Sequence, residues 1–121
     1  MLVPKTALEL KRREAGLTQQ EVAELLGISR NTLAAYESGK TDIPISVFIR
    51  LADLYKCDVH DVFGVYAPHI TFDLPKSELR HAHARYKLNK EKELNEQMGI
   101  EKAENYYEEK YKQYYNEIKI D

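Results

Sequence analysis

With 121 residues the chain has room for one compact domain and an appendage, and a second independent core is not expected. Basic residues number 18 and acidic residues 20, so the net charge of −2 gives no overall attraction to nucleic acid, and any such partner must be met by a local arrangement. Charged residues make up 31% of the chain, mean hydropathy is −0.59, and no run approaches the roughly 18 apolar residues of a membrane span, which argues for a soluble protein with no membrane partner.

In chain order, MLVPKTALEL lacks the basic-then-apolar pattern of a secretory signal, and the charged Lys11-Arg12-Arg13 follows at once. With a single cysteine, Cys57, this predicts a reducing cytoplasm and no disulfide framework; the cysteine reads as a small core residue. A first helix is predicted from Thr6 to Glu14, with Pro4 before it and Gly16 after it. Thr18 opens the second, because its hydroxyl can accept an N-terminal amide and Glu21 completes the T-x-x-E capping-box spacing. That helix is expected to turn Val22, Ala23, Leu25 and Leu26 inward and to stop at Gly27. Ser29 caps a third helix beginning at Arg30, with Leu33 and Tyr36 inward and Gly39 as its stop. Lys40 to Pro44 is a loop by composition. Val47, Phe48, Leu51, Ala52 and Tyr55 recur at helical spacings, and a short helix around Asp58 to Phe63 closes the core with Val59, Val62 and Phe63. The fold class is therefore all-α, with a five-helix domain over residues 1–64.

The window from Gln19 to Ser38 carries the most chemistry. A tight two-helix unit needs a small residue where the helices touch, which Ala23 supplies, and a residue tolerating positive φ at the turn, which Gly27 supplies four positions on. Val22, Leu26, Ile28, Leu33 and Tyr36 then fix the angle between the helices. The segment TQQEVAELLGISRNTLAAYESGK resembles the Cro and phage-repressor type of helix-turn-helix, the Xre family, and the resemblance runs from about Leu8 to Gly64.

That resemblance implies a lambda-repressor-like fold, double-stranded DNA as the partner, and a homodimer that places the second helix of each unit in the major groove at half-sites one DNA turn apart. It implies that Gln19 clamps a phosphate, that Ser29, Arg30, Asn31 and Thr32 face base edges, and that Ser38 and Lys40 touch the DNA backbone. Arg30 and Asn31 lead as readers, since Arg binds guanine O6 and N7, and Asn binds adenine N6 and N7, with two bonds each. Ala34 and Ala35 stand where relatives carry longer polar side chains, leaving a methyl surface suited to a thymine methyl. Arg12 and Glu37 fall where some relatives hold a buried ion pair; for Arg12 a structural tie and a phosphate contact are both open. The chain departs from more basic relatives in having Asp42, Ile43 and Ile45 after Lys40, and residues 1–64 hold eight basic against nine acidic side chains. Non-specific affinity is expected to be modest and salt-dependent, which favours a dimer.

Residues 65–76 read as a linker or short extended segment, in which Ile70 to Leu74 alternates apolar and polar residues as a short strand or a tether. Ser77 is a plausible cap for a helix reaching about Gln97 and broken near Gly99. From Ile100 the apolar positions Ala103, Tyr107, Tyr111, Tyr114 and Ile118 form a heptad-like stripe, widened by Tyr106 and Tyr115. Residues 77–121 thus read as a helical oligomerisation or partner-binding region. The alternative is that the stripe packs back on residues 77–97 as an antiparallel hairpin, and the balance leans to intermolecular use because two charged helices offer each other little apolar surface.

His81 and His83, two apart, point to different sides of a helix and make a poor chelating pair; His60 and His69 read as surface or boundary residues, and no metal or cofactor is expected. No paired catalytic carboxylates, nucleophile motif or phosphate-cradling glycine loop is present, so the chain does not read as an enzyme. Two functions remain. One is a sequence-specific regulator, most simply a repressor like those of phages and mobile elements; the other is an antitoxin-like protein whose C-terminal helix neutralises a partner.

Overall fold

In the computed structural model, which describes residues 7–119, the elements in order are α1 (Leu8–Glu14), α2 (Gln19–Leu26), α3 (Arg30–Ser38), β1 (Ile43–Pro44), α4 (Ile45–Leu54), α5 (Val59–Tyr66), a 3-10 turn (Ala67–His69), β2 (Ile70–Thr71), α6 (Ser77–Gln97) and α7 (Tyr106–Tyr115). The all-α class is the observed one, apart from a two-residue parallel pairing in which Ile43 lies beside Ile70 and Pro44 beside Thr71. The expected start of α1 at Thr6, and Pro4 before it, lie outside the described residues.

The core gathers one stripe from each N-terminal helix. Leu8, Val22, Leu33, Ile45, Phe48, Leu51 and Tyr66 are fully buried, and burying each such aliphatic or Phe side chain stabilises by roughly 1.5–3 kcal/mol. Phe48 meets Phe63 and Tyr66 edge-on or tilted, with ring centroids 6.4 and 5.9 Å apart. Cys57 is a buried core residue, and burial pushes its thiol up to about 11, away from the reactive thiolate.

Several boundaries differ from the sequence expectations. The Lys40–Pro44 segment is not wholly loop, because its last two residues form β1 and Ile43 is fully buried. Of the two readings of Ile70 to Leu74, Ile70–Thr71 is the strand that pairs with β1. The fifth helix continues through Gly64 to Tyr66. Leu25 is 59% exposed: at 100° per residue the inward stripe of α2 is Val22, Ala23 and Leu26, and Leu25 falls on the far side. Ser77 does not cap α6; it is the first helical residue, and Lys76 before it is already in the right-handed helical region.

The tyrosine stripe packs within the chain. Helix α7 runs back along α6 after a turn at Gly99, whose φ of +68° a residue with a Cβ rarely adopts. Tyr114 and Ile118 are buried, Tyr107 and Tyr111 half-buried, and Ala103 is exposed. Their hydroxyls find partners on α6: Tyr114 donates to Glu91 at 2.5 Å, Tyr107 accepts from the Asn95 amide at 3.0 Å, and Tyr111 meets His81 Nδ1 at 2.6 Å. Lysine ammoniums lie over the rings, Lys87 and Lys110 over Tyr114 and Lys92 over Tyr107, at 5.6, 5.1 and 5.1 Å from the centroids. The expectation of intermolecular use undercounted these contacts, because a tyrosine edge and a lysine stem bury apolar area while keeping their polar ends bonded.

The hairpin is rooted in the same buried cluster as Phe48 and Leu51, through Leu79, Ala82 and Ile118. At this root His83 is 3% exposed, with Nδ1 2.8 Å from an Asp58 oxygen and Nε2 2.8 Å from Glu117, so one ring joins the α5 cap, α6 and the residues after α7.

Candidate nucleic-acid interface

The α2–α3 unit is built by local signals. Thr18 accepts the Glu21 amide at 3.1 Å while the Glu21 carboxylate accepts the Thr18 amide at 3.0 Å, a complete capping box. Those bonds hold the Glu21 carboxyl below its usual range. Gly27, at φ +70° and ψ +31°, turns the chain, and Ser29 caps α3 by accepting the Thr32 amide at 3.0 Å. The Ser29 and Thr32 hydroxyls are also 2.8 Å apart, so both side chains are engaged in the cap itself.

Arg30 and Asn31 are exposed on the first turn of α3. A chain of hydrogen bonds leads from the interior to Arg30. Buried Arg12 donates from Nε to Glu37 at 2.7 Å and from Nη1 to the Leu17 carbonyl at 2.9 Å; Glu37 accepts from the Gln19 side-chain amide at 2.8 Å; and Gln19 accepts from Arg30 Nε at 3.3 Å. Arg12 and Glu37 are 6% and 4% exposed, and the Arg12 guanidinium is engaged by Glu37 and the Leu17 carbonyl, which favours the structural tie of its two readings. Burial works against its charge, but the hydrogen bond and charge of Glu37 prevail and raise the guanidinium above its ordinary value. Such a pair orients more than it stabilises.

Asn31, Ala35 and Ser38 follow one stripe of α3 and share a shallow cleft of about 560 Å³ with Gln19, Lys40 and Glu9. Ala34 and Ala35 are half-buried in its floor. Ser38 donates to the Ala35 carbonyl at 3.2 Å, closing the helix end, and among the described residues the Lys40 ammonium has no ion-pair partner. A second open cleft brings Gln19 and Arg30 together with Arg13 and Gln20. Six of the eight expected contact residues therefore line adjoining clefts, while Ser29 and Thr32 line neither. The sequence reading missed Glu9, which lines both clefts and pairs with Arg13 at 3.5 Å; the i, i+4 spacing was its only signal. Among the described residues no group of three or more His, Cys, Asp or Glu side chains is placed to hold a metal, and no helix is long and apolar enough to cross a membrane.

A capped helix, a left-handed glycine turn and a second helix with an exposed polar first turn, packed on three further helices, define a helix-turn-helix unit. The chain belongs to the helix-turn-helix family, whose model matches residues 8–62. Over 59 residues it is 34% identical to an uncharacterized HTH-type transcriptional regulator of Methanocaldococcus jannaschii, covering 49% of this chain and 89% of that protein. Putative HTH-type transcriptional regulatory proteins of Saccharolobus islandicus and Saccharolobus solfataricus are each 38% identical over 52 residues, which is 43% of this chain but 17% of theirs. The chain thus spans less than a fifth of the length of these Saccharolobus relatives. No solved structure matches the chain with significance. The family is one of transcriptional regulators, not a class of enzymes.

Proposed function

We propose that the protein is a sequence-specific DNA-binding transcriptional regulator of the Xre/Cro type, which acts in the cytoplasm as a homodimeric repressor on a two-fold-symmetric operator. One observation carries the reading: Arg30 and Asn31 stand exposed on the first turn of α3, with Arg30 steered through Gln19 by a buried ion pair. Each bidentate pair with its base is worth about 1–3 kcal/mol of discrimination. Gln19, Lys40 and Ser38 flank these readers as backbone contacts, and the methyl floor of Ala35 suits a thymine methyl. Ser29 and Thr32 serve mainly by fixing the helix start. Few cations face the cleft, so a second subunit supplies the phosphate contacts that one lacks, and occupancy of a promoter by such a reader blocks polymerase.

The antitoxin-like reading placed a partner on the tyrosine stripe, which is spent on α6; what favours a partner now is the exposed hairpin tip, where Leu94, Met98 and Ile100 are 54%, 63% and 40% exposed. Selection from a randomised DNA pool tests the operator reading. Wild type is expected to enrich a two-fold-symmetric site and Arg30→Ala/Asn31→Ala to lose that selectivity while folded; enrichment of no sequence by wild type refutes it.

A further inference from the structure

The C-terminal end of α3 and the loop after it are held by residues 66–73, which lie beyond the residues matched by the family and include none of the DNA contacts proposed above. Tyr66, fully buried, accepts the Leu8 amide at 3.2 Å and donates to the Glu37 carbonyl at 2.7 Å. Both groups belong to helix ends, where the backbone has no partner in its own helix, so one hydroxyl satisfies the start of α1 and the finish of α3. Burial pushes this phenol up to about 12, which keeps its proton available for Glu37.

Four residues on, Ile70 and Thr71 pair with Ile43 and Pro44, the exit of the segment that begins at Lys40. Asp73 then caps α4 from 27 positions away, accepting the Ser46 amide at 3.0 Å through Oδ1 and the Ser46 hydroxyl through Oδ2. Helix α4 has no side-chain cap of its own, because Pro44 sits at that position. The loop carrying Lys40 is thus fastened at its entry through Glu37 and at its exit by a strand and a cap.

We propose that residues 66–73 form a positioning brace for DNA binding, in which Tyr66 and Asp73 set the Lys40 loop in place for its phosphate without touching DNA themselves. The proposal rests on the operator reading above. Ordering the loop in the free protein removes that entropy cost from association, so the brace acts on the number of phosphates held more than on which bases are read.

The test measures affinity for the site enriched by wild type over a fourfold range of salt, for Asp73→Ala, Asp73→Asn, Lys40→Ala and the double variant Lys40→Ala/Asp73→Ala. Asp73→Ala is expected to lower the salt slope by about 0.9 per subunit, as Lys40→Ala does, which for a dimer on its site is a roughly twelvefold affinity change across that range. The double variant falls no further, and Asp73→Asn, which keeps an acceptor for the Ser46 amide, recovers most of the slope. A fold merely weakened lowers the active fraction and leaves the slope alone. A wild-type slope in Asp73→Ala, or additive losses in the double variant, overturns the brace. Failure of wild type to select any DNA sinks the operator reading alone, and the brace is then decided by amide exchange in the free protein. There Asp73→Ala and Tyr66→Phe are expected to speed exchange over residues 40–46 by about tenfold, and unchanged exchange overturns it.

Discussion

The α2–α3 pair and the α6–α7 pair are both helices joined through a glycine of positive φ, +70° at Gly27 and +68° at Gly99, yet they are held by different chemistry. In the first, Val22, Ala23 and Leu33 enter a core shared with α1, α4 and α5, and the polar heads of Arg30 and Asn31 are left outside. In the second, tyrosine rings lie between the helices under lysine ammoniums, and their hydroxyls are bonded to Glu91, Asn95 and His81. An aliphatic stripe must be covered by other elements and so binds a pair into a domain; an aromatic stripe with polar ends lets two charged helices satisfy one another. The first pair is therefore free to present chemistry, while the second has spent most of its own.

The strongest way to break the first pair is to unbalance its buried charge. Glu37→Ala leaves Arg12 buried without its partner and is expected to cost about 3–5 kcal/mol in urea unfolding, whereas an apolar replacement of both residues is expected to cost far less. A milder break falls on the second pair. Tyr114→Phe removes the donor to Glu91, whose other oxygen is already buried without a partner, and is expected to cost about 1–3 kcal/mol. Limited proteolysis near Gly99 should then speed up while the selected DNA site stays the same; loss of selectivity contradicts the division of labour. Thr18→Ala removes half of the capping box and is expected to cost about 1 kcal/mol, read as a lower urea midpoint with unchanged m-value.

Titration sharpens the comparison with the smallest effect. Burial raises the Glu91 carboxyl, but the hydrogen bond from Tyr114, the neighbouring Tyr106 hydroxyl and the charge of Lys110 outweigh it and hold the group below its usual 4.5. A lowered carboxyl contributes stability above the unfolded value and loses it as pH falls through the folded one, so the hairpin should loosen on acidification below about 4.5, and Glu91→Gln should blunt that dependence. Tyr114 is shifted upward, first by burial and then by Glu91, so its contribution is present below about pH 10 and is lost as alkali ionises the phenol. Near-ultraviolet dichroism of the tyrosines reads both limits.

What the sequence disclosed followed the range of the interactions. Thr18 with Glu21, Gly27, Ser29 and Gly39 are local signals within four residues, and the structure uses each as expected; the engagement of Thr32 in the Ser29 cap was not foreseen. The capped start also fixes that Arg30 and Asn31 stand on the first turn of α3, whereas the base-reading role proposed for them came from the family resemblance. Tyr66 bonding Glu37 and Asp73 capping Ser46 span 29 and 27 positions, and nothing near either residue signals its partner. Leu25 was misplaced because four apolar residues in five blur which of them completes the stripe. Of the stripe read from Ala103 to Ile118, the positions from Tyr107 on do turn toward α6, while Ala103 lies outside α7 and is exposed, and periodicity does not say which helix covers the face.

The pair of hydrogen bonds made by the Tyr66 hydroxyl has a consequence for anyone who divides this chain. A fragment ended at Gly64, where composition changes, would contain the entire recognition segment and would look complete by its periodicity. It would also cut α5 two residues short of its last buried side chain, leaving the Leu8 amide and the Glu37 carbonyl to compete for solvent and an aromatic-sized void beside Phe48. The smallest self-sufficient reader therefore extends at least to Asp73, and grafts or minimal reporters made from this protein should carry that tail with the helices it secures.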